Sequence, residues 1–182
     1  MTRPRYPDVS DIWVYKAIYM MRKLLAPGLL GLAAVAMAAS APAEARDTVA
    51  ADREDVRALF LSQVEAENAH DIAKLDSVLA DSPDDASSPV SFVARAYEFW
   101  GKKAVMKHFE ETFKGTWRLD PDMSRARVVP LGADTTQIYV PTKVTLGAPG
   151  QAPVTAPYLI NEFAVRTAQG WRFTAILPLP TQ

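Results

Sequence analysis

Thr155 to Leu177 reads TAPYLINEFAVRT, then AQG, then WRFTAIL. Two runs rich in aromatic and β-branched residues flank a three-residue break containing Gly170, which is the pattern of two antiparallel strands joined by a tight turn. The same period of two extends upstream through Thr136–Leu146, which is set off by Gly147-Ala148-Pro149-Gly150. Thr116–Leu119 and Arg125–Pro130 precede it, as two strands or one bent strand, and Leu131-Gly132-Ala133-Asp134 follows them. The second half is therefore a meander of long strands, and Pro178 to Gln182 is expected to be irregular.

The segment before it has helical spacing. Val49, Val56, Leu59, Phe60 and Val64 form an apolar stripe over Thr48–Ala69. Asp52, Glu54 and Asp55 suit its N-terminal end electrostatically. His70-Asp71 breaks the stripe, and Asp71 can cap a shorter helix from Ile72 to about Ala80. Asp81 to Pro89 is a loop of turn formers; its acids lack calcium-loop spacing and read as solvated. Val90–Trp100 reads as one strand, and Lys102–Lys114 as a third helix carrying Val105, Phe109 and Phe113. The order α-α-β-α-β-β-β-β predicts an α+β fold: a curved antiparallel sheet with three helices packed in its concavity.

The chain has 182 residues, a formal charge of −1, two histidines and no cysteine. Without cysteine there are no disulfides, thiol nucleophiles, thiolate-bound metals or lipidated N-terminal cysteine. Two histidines, His70 and His108, do not suggest a multi-histidine metal centre, so no cofactor is expected. The charge balance gives no basic surface for nucleic acid.

Residues 1–45 differ in character from the rest. Arg22-Lys23, the uncharged Leu24–Ala39 and then Ala43-Glu44-Ala45 have the order of a secretory signal. The apolar run is short for a membrane span and is interrupted by Pro27, Gly28 and Gly31. We expect translation to start at Met20 or Met21, cleavage after Ala45, and a single periplasmic or secreted domain over 46–182 with no stable membrane anchor. The first 45 residues hold five basic and three acidic side chains, so that domain carries a charge of −3.

Certain local patterns resemble the nuclear transport factor 2-like (NTF2-like) superfamily, in particular its SnoaL-like or DUF4440-like bacterial members. They are Ala69-His70-Asp71 and Leu79-Ala80-Asp81; Trp100-Gly101-Lys102-Lys103-Ala104-Val105; and Phe163-Ala164-Val165-Arg166-Thr167 before Gly170-Trp171-Arg172-Phe173. The resemblance spans about Asp52 to Leu177. It implies a cone-shaped fold with a pocket between sheet and helices, and it embraces isomerases, cyclases, dehydratases and proteins that only bind, so it does not transfer a function.

Strand alternation then nominates pocket residues. On Thr155–Thr167 the face Leu159, Asn161, Phe163, Val165 is expected inward, with Asn161 as its one polar group. Thr142 lies on the expected inner face of Thr136–Leu146, and Trp171 and Phe173 on that of the last strand. With Phe109 these six are the expected ligand-binding set. Candidate acid–base groups are Glu98, His108 and Tyr97. Glu162 falls on the opposite face with Tyr158 and Ile160, which with Tyr139 suits homodimerisation through the sheet. Three readings stay open: an apolar small-molecule binder, an acid–base enzyme of the isomerase, cyclase or dehydratase type, and a homodimeric interaction module with a filled pocket.

Overall fold

The computed structural model describes residues 43–95 and 97–181. The expected export segment lies outside these residues up to position 42, and the cut expected after Ala45 falls within the first helix.

Helix α1 spans Ala43–Ala69, five residues earlier than its apolar stripe predicts. It buries Val56, Phe60, Val64 and Ala66, while Val49, assigned to the same stripe, is exposed. His70 ends it in the left-handed region at φ 54. Its N–H bonds the Glu67 carbonyl and the Asp71 N–H bonds the Ala66 carbonyl, the paired closure of a Schellman motif. The Asp71 carboxylate accepts from the Lys74 N–H and caps α2, Ile72–Val78. His70 stacks on Phe113, so its ring serves this corner.

The expected strand Val90–Trp100 is a hairpin: β1, Ser91–Ala94, and β2, Tyr97–Trp100, paired Ala94 to Tyr97. Helix α3, Lys102–Thr112, follows and buries Val105, Met106 and Phe109. The meander is β3 (Thr116–Pro121), β4 (Arg127–Pro130), β5 (Thr135–Gly147), β6 (Val154–Thr167) and β7 (Gly170–Pro180). Strands β3 and β4 are separate and pair in succession along β5, which is long enough to hold both. The last strand runs on to Pro180, where an irregular tail was expected.

The sheet order is β2-β1-β7-β6-β5-β3, with β4 also on β5. It is mixed, because β1 lies parallel to β7. An all-antiparallel sheet was expected; the intervening hairpin and helices let the β1 segment return to the far edge in the other sense. Helix α1 packs on β3, β4, β5 and β7, and α3 on β1 and β2, so the helices cover one face of the curved sheet. The core between them is mainly apolar, with Phe60, Phe109, Phe173, Leu75, Leu79 and Ile138 its largest fully buried apolar side chains.

Candidate functional site

Gln63, Glu67 and Glu162 are polar side chains buried within that core. Gln63 and Glu67 continue the α1 stripe of Val56 and Phe60 at helical spacing, so the face that begins apolar ends polar. Glu162 stands on β6 between Ile160 and Ala164. Its cross-strand partner is Ile138, on the buried face of β5. Cross-strand partners share a face, so Glu162 must point at the helices. His108 on α3 completes the group. Asn68 holds β3 against α1 by bonding both the N–H and the C=O of Leu119, and so sets Trp117 beside Glu67.

These residues line one cavity of about 270 Å³. The rest of its wall is mainly apolar, with Phe92, Leu119, Val144, Ile160 and Ile176 among its residues. Arg95 and Tyr97 are exposed and form its rim. Glu162, Gln63 and Glu67 are each 0–2% exposed and form its floor.

The floor is one hydrogen-bonded unit. Gln63 Nε2 donates to Glu67 Oε1 at 2.8 Å and to Glu162 Oε1 at 2.7 Å. Trp117 Nε1 donates to Glu67 Oε2 at 2.8 Å. Both Glu67 oxygens therefore accept, which is the arrangement of a carboxylate. Glu162 has one engaged oxygen, and its Oε2 is buried without a partner. Among the described residues no lysine or arginine forms an ion pair with either acid.

The electrostatics follow from that enclosure. Burial lifts the Glu67 carboxyl to about 7, against the lowering effect of the Gln63 and Trp117 hydrogen bonds. Burial, and then the charge of Glu67, hold Glu162 well above the ordinary carboxylate range. Two neighbouring carboxyls with separated affinities assign the proton: Glu162 keeps it, and Oε2 is the oxygen free to carry it. His108 is pushed down by burial and so is neutral near pH 7. The Thr112 hydroxyl donates to the His108 carbonyl at 2.8 Å. Its oxygen can then only accept from His108 Nδ1, 3.5 Å away. That leaves Nε2, buried and unpartnered, as the ring's acceptor.

Among solved structures the chain is similar to three proteins in particular. A candidate dehydratase of the NTF2-like family from Streptomyces avermitilis superposes with a TM-score of 0.61 at 20% identity, over 72% of this chain and 97% of that one. An NTF2-like protein with a cystatin-like fold from Novosphingobium aromaticivorans gives 0.60 at 14% identity, over 76% and 88%. A ketosteroid isomerase-like protein from Erwinia carotovora atroseptica gives 0.58 at 14%, over 72% and 97%. The chain has the NTF2-like fold. No family model matches the sequence, and no curated protein does.

Within this NTF2-like cone the expected site residues separate. His108 and Tyr97 line the cavity. Glu98 does not: the two-residue turn between β1 and β2 reverses the alternation, so Tyr97 shares the face of Phe92 and Ala94 while Glu98 points outward. Asn161 and Phe163 lie on the outer face of β6, where Gln137 Nε2 donates to Asn161 Oδ1 at 2.8 Å. Tyr158 and Ile160, assigned outside, line the cavity instead. Thr142 is buried on the inner face, donates to the Val140 carbonyl and stays out of the cavity.

Phe109, Trp171 and Phe173 are core residues outside its lining. Trp171 carries the Arg166 guanidinium over its ring, and the Phe173 carbonyl accepts from Ala80 N–H. Past Phe173 the alternation of β7 slips. Phe163 faces Ala175 and Ala164 faces Phe173, which leaves Thr174 as the extra residue of a bulge. Ile176, Pro178 and Pro180 then face the cavity, not Ala175 and Leu177. Among the described residues no cluster of three or more histidines and acids could hold a metal.

Proposed function

We propose that the protein binds a small, largely apolar molecule in the cone, with its polar end toward Glu162, Gln63 and His108. One observation carries this: an apolar cavity of about 270 Å³ is lined by three side chains that each retain a buried polar atom with no partner. Buried polar groups are ordinarily satisfied, so an occupant that satisfies them gains more than its apolar contacts. Proteins of the same fold include a candidate dehydratase and a ketosteroid isomerase-like protein, which supports ligand binding or catalysis as the class of activity.

A second reading, proton transfer on the bound molecule, is favoured by the opposed states of two groups that line the cavity. Neutral His108 offers Nε2 as a base, while protonated Glu162 offers Oε2 as an acid. The two readings share a test. Fragments that bind the unaltered protein, found by ligand-observed NMR, should lose binding in Val144→Phe, whose larger side chain occupies the cavity. Fragments that keep their affinity there would place the site elsewhere. For a ketone among those fragments, Glu162→Gln should retain binding but slow deuterium uptake at the α-carbon about a hundredfold or more. Equal uptake would leave binding alone.

Export, with cleavage after Ala45, is proposed on the signal pattern of residues 22–45. Homodimerisation is proposed through the outer sheet face, now on Tyr139, Leu159, Phe163 and Leu177, which are all half-buried there.

A further inference from the structure

The unpartnered atoms of the cavity are not interchangeable. Gln63 Oε1 is an acceptor, because its amide nitrogen is spent on Glu67 and Glu162. His108 Nε2 is an acceptor in the tautomer that places the ring proton on Nδ1, facing a Thr112 oxygen whose own proton goes to the His108 carbonyl. Glu162 Oε2 is the donor: the acid has no cation partner, stands next to a second acid that already accepts two hydrogen bonds, and is fully buried. The unpartnered buried atoms of the cavity are thus one donor and two acceptors, set in a mainly apolar wall. A ketone or ether would use the donor and leave both acceptors empty. A carboxylate would face Gln63 Oε1, the His108 lone pair and Glu67 together, with Arg95, the one lysine or arginine among the described residues of the lining, out at the rim. A hydroxyl accepts from Glu162 Oε2 and donates to Gln63 Oε1 or His108 Nε2, and so meets both polarities with one atom.

Size narrows the class further. A cavity of about 150 Å³ is filled by a benzene ring, so about 270 Å³ suits about two fused rings. Aromatic side chains contribute to the wall: Phe92 and Trp117 line it, and Phe99 stacks on the His108 ring with centroids 4.3 Å apart. We infer that the cone is built for a neutral, hydroxyl-bearing ring compound of one or two rings, recognised through the hydroxyl by Glu162, Gln63 and His108. This rests on the cavity reading above and specifies its ligand.

Three probes of nearly one shape test it: 2-naphthol, 2-methoxynaphthalene and naphthalene, titrated against the unaltered protein at pH 6.5. The expected result is at least tenfold tighter binding of 2-naphthol than of either of the others, since only it fills donor and acceptors together. In Gln63→Leu that preference should fall to threefold or less, with naphthalene binding retained. If naphthalene or the methoxy compound binds the unaltered protein as tightly as 2-naphthol, the hydroxyl assignment is overturned while the cavity reading stands. If none of the three binds, both fall. Should Gln63→Leu not fold, the three affinities of the unaltered protein decide the matter alone.

Discussion

Raising the pH from 5 to 8 will destabilise this protein, and the loss will come from its buried acids. In the unfolded chain Glu67 gives up its proton near 4.5, whereas in the folded chain it holds it to about 7. Between those values the folded state binds more protons, so the stabilisation is complete below 4.5 and disappears as the pH rises through 7. A displacement of that size corresponds to about 3 kcal/mol. Glu162 acts in the same direction and over a higher range, because its proton is held more firmly. His108 opposes them only at the acid end. Its folded affinity is lowered, so it withdraws stability as the pH falls below its ordinary value of 6.5. The surface acids Asp81, Asp84 and Asp122 are lowered below 3.8 and act outside this window. Urea midpoints measured from pH 5 to 8 should therefore fall. In Glu162→Gln the slope should flatten and the protein should be more stable than the unaltered chain at pH 8. The cost that this substitution relieves is the one the proposed function requires, as is common at active sites. A flat or rising midpoint in the unaltered chain would contradict the assignment of the proton to this pair.

Phe109→Ala should cost about 3–5 kcal/mol, a large part of what a domain of this kind has in reserve. The ring is fully buried. It meets Phe92 edge-on at 5.6 Å and Trp117 at 5.5 Å, and packs on Phe113 at 5.5 Å. It thus backs two residues of the cavity wall, and its removal leaves a void that three aromatic neighbours cannot close without moving. Trp100→Ala offers the contrast. Trp100 is the larger side chain but is 66% exposed, and its removal should stay within about 0.5 kcal/mol. Chemical denaturation of the two variants separates burial from size. Equal costs would mean that the Phe109 cluster does not support the core.

The legible part of the fold was the part set by local pattern. Strand periodicity and Gly-containing turns placed the meander, and Asp71 marked the start of α2. What the sequence hid was set by pairing at a distance. The β1–β2 hairpin turns without a glycine or proline between Ala94 and Tyr97, so nothing local separates it from a continuous strand. That turn reverses alternation and carries Glu98 out of the site. On β6 both faces bear large apolar residues, and alternation alone cannot say which is inward. The ordinary preference of a carboxylate for water points to the wrong face. The β5 register would have chosen correctly, because Glu162 pairs with Ile138. Gln63 and Glu67 were missed although their spacing from Val56 and Phe60 is that of one helix face. Polar residues on an apolar stripe are the sequence signal that the cavity floor leaves behind.

The central claim is that two glutamates in the cone share a floor on which Glu162 keeps its proton at neutral pH. Side-chain carboxyl ¹³C shifts of glutamate-labelled protein, followed from pH 4 to 9, test it most directly. Two carboxyls should titrate far above the others, one near 7 and one higher, and Glu162→Gln should remove the higher signal and leave the other near 7. All glutamates titrating together near 4.5 would contradict it.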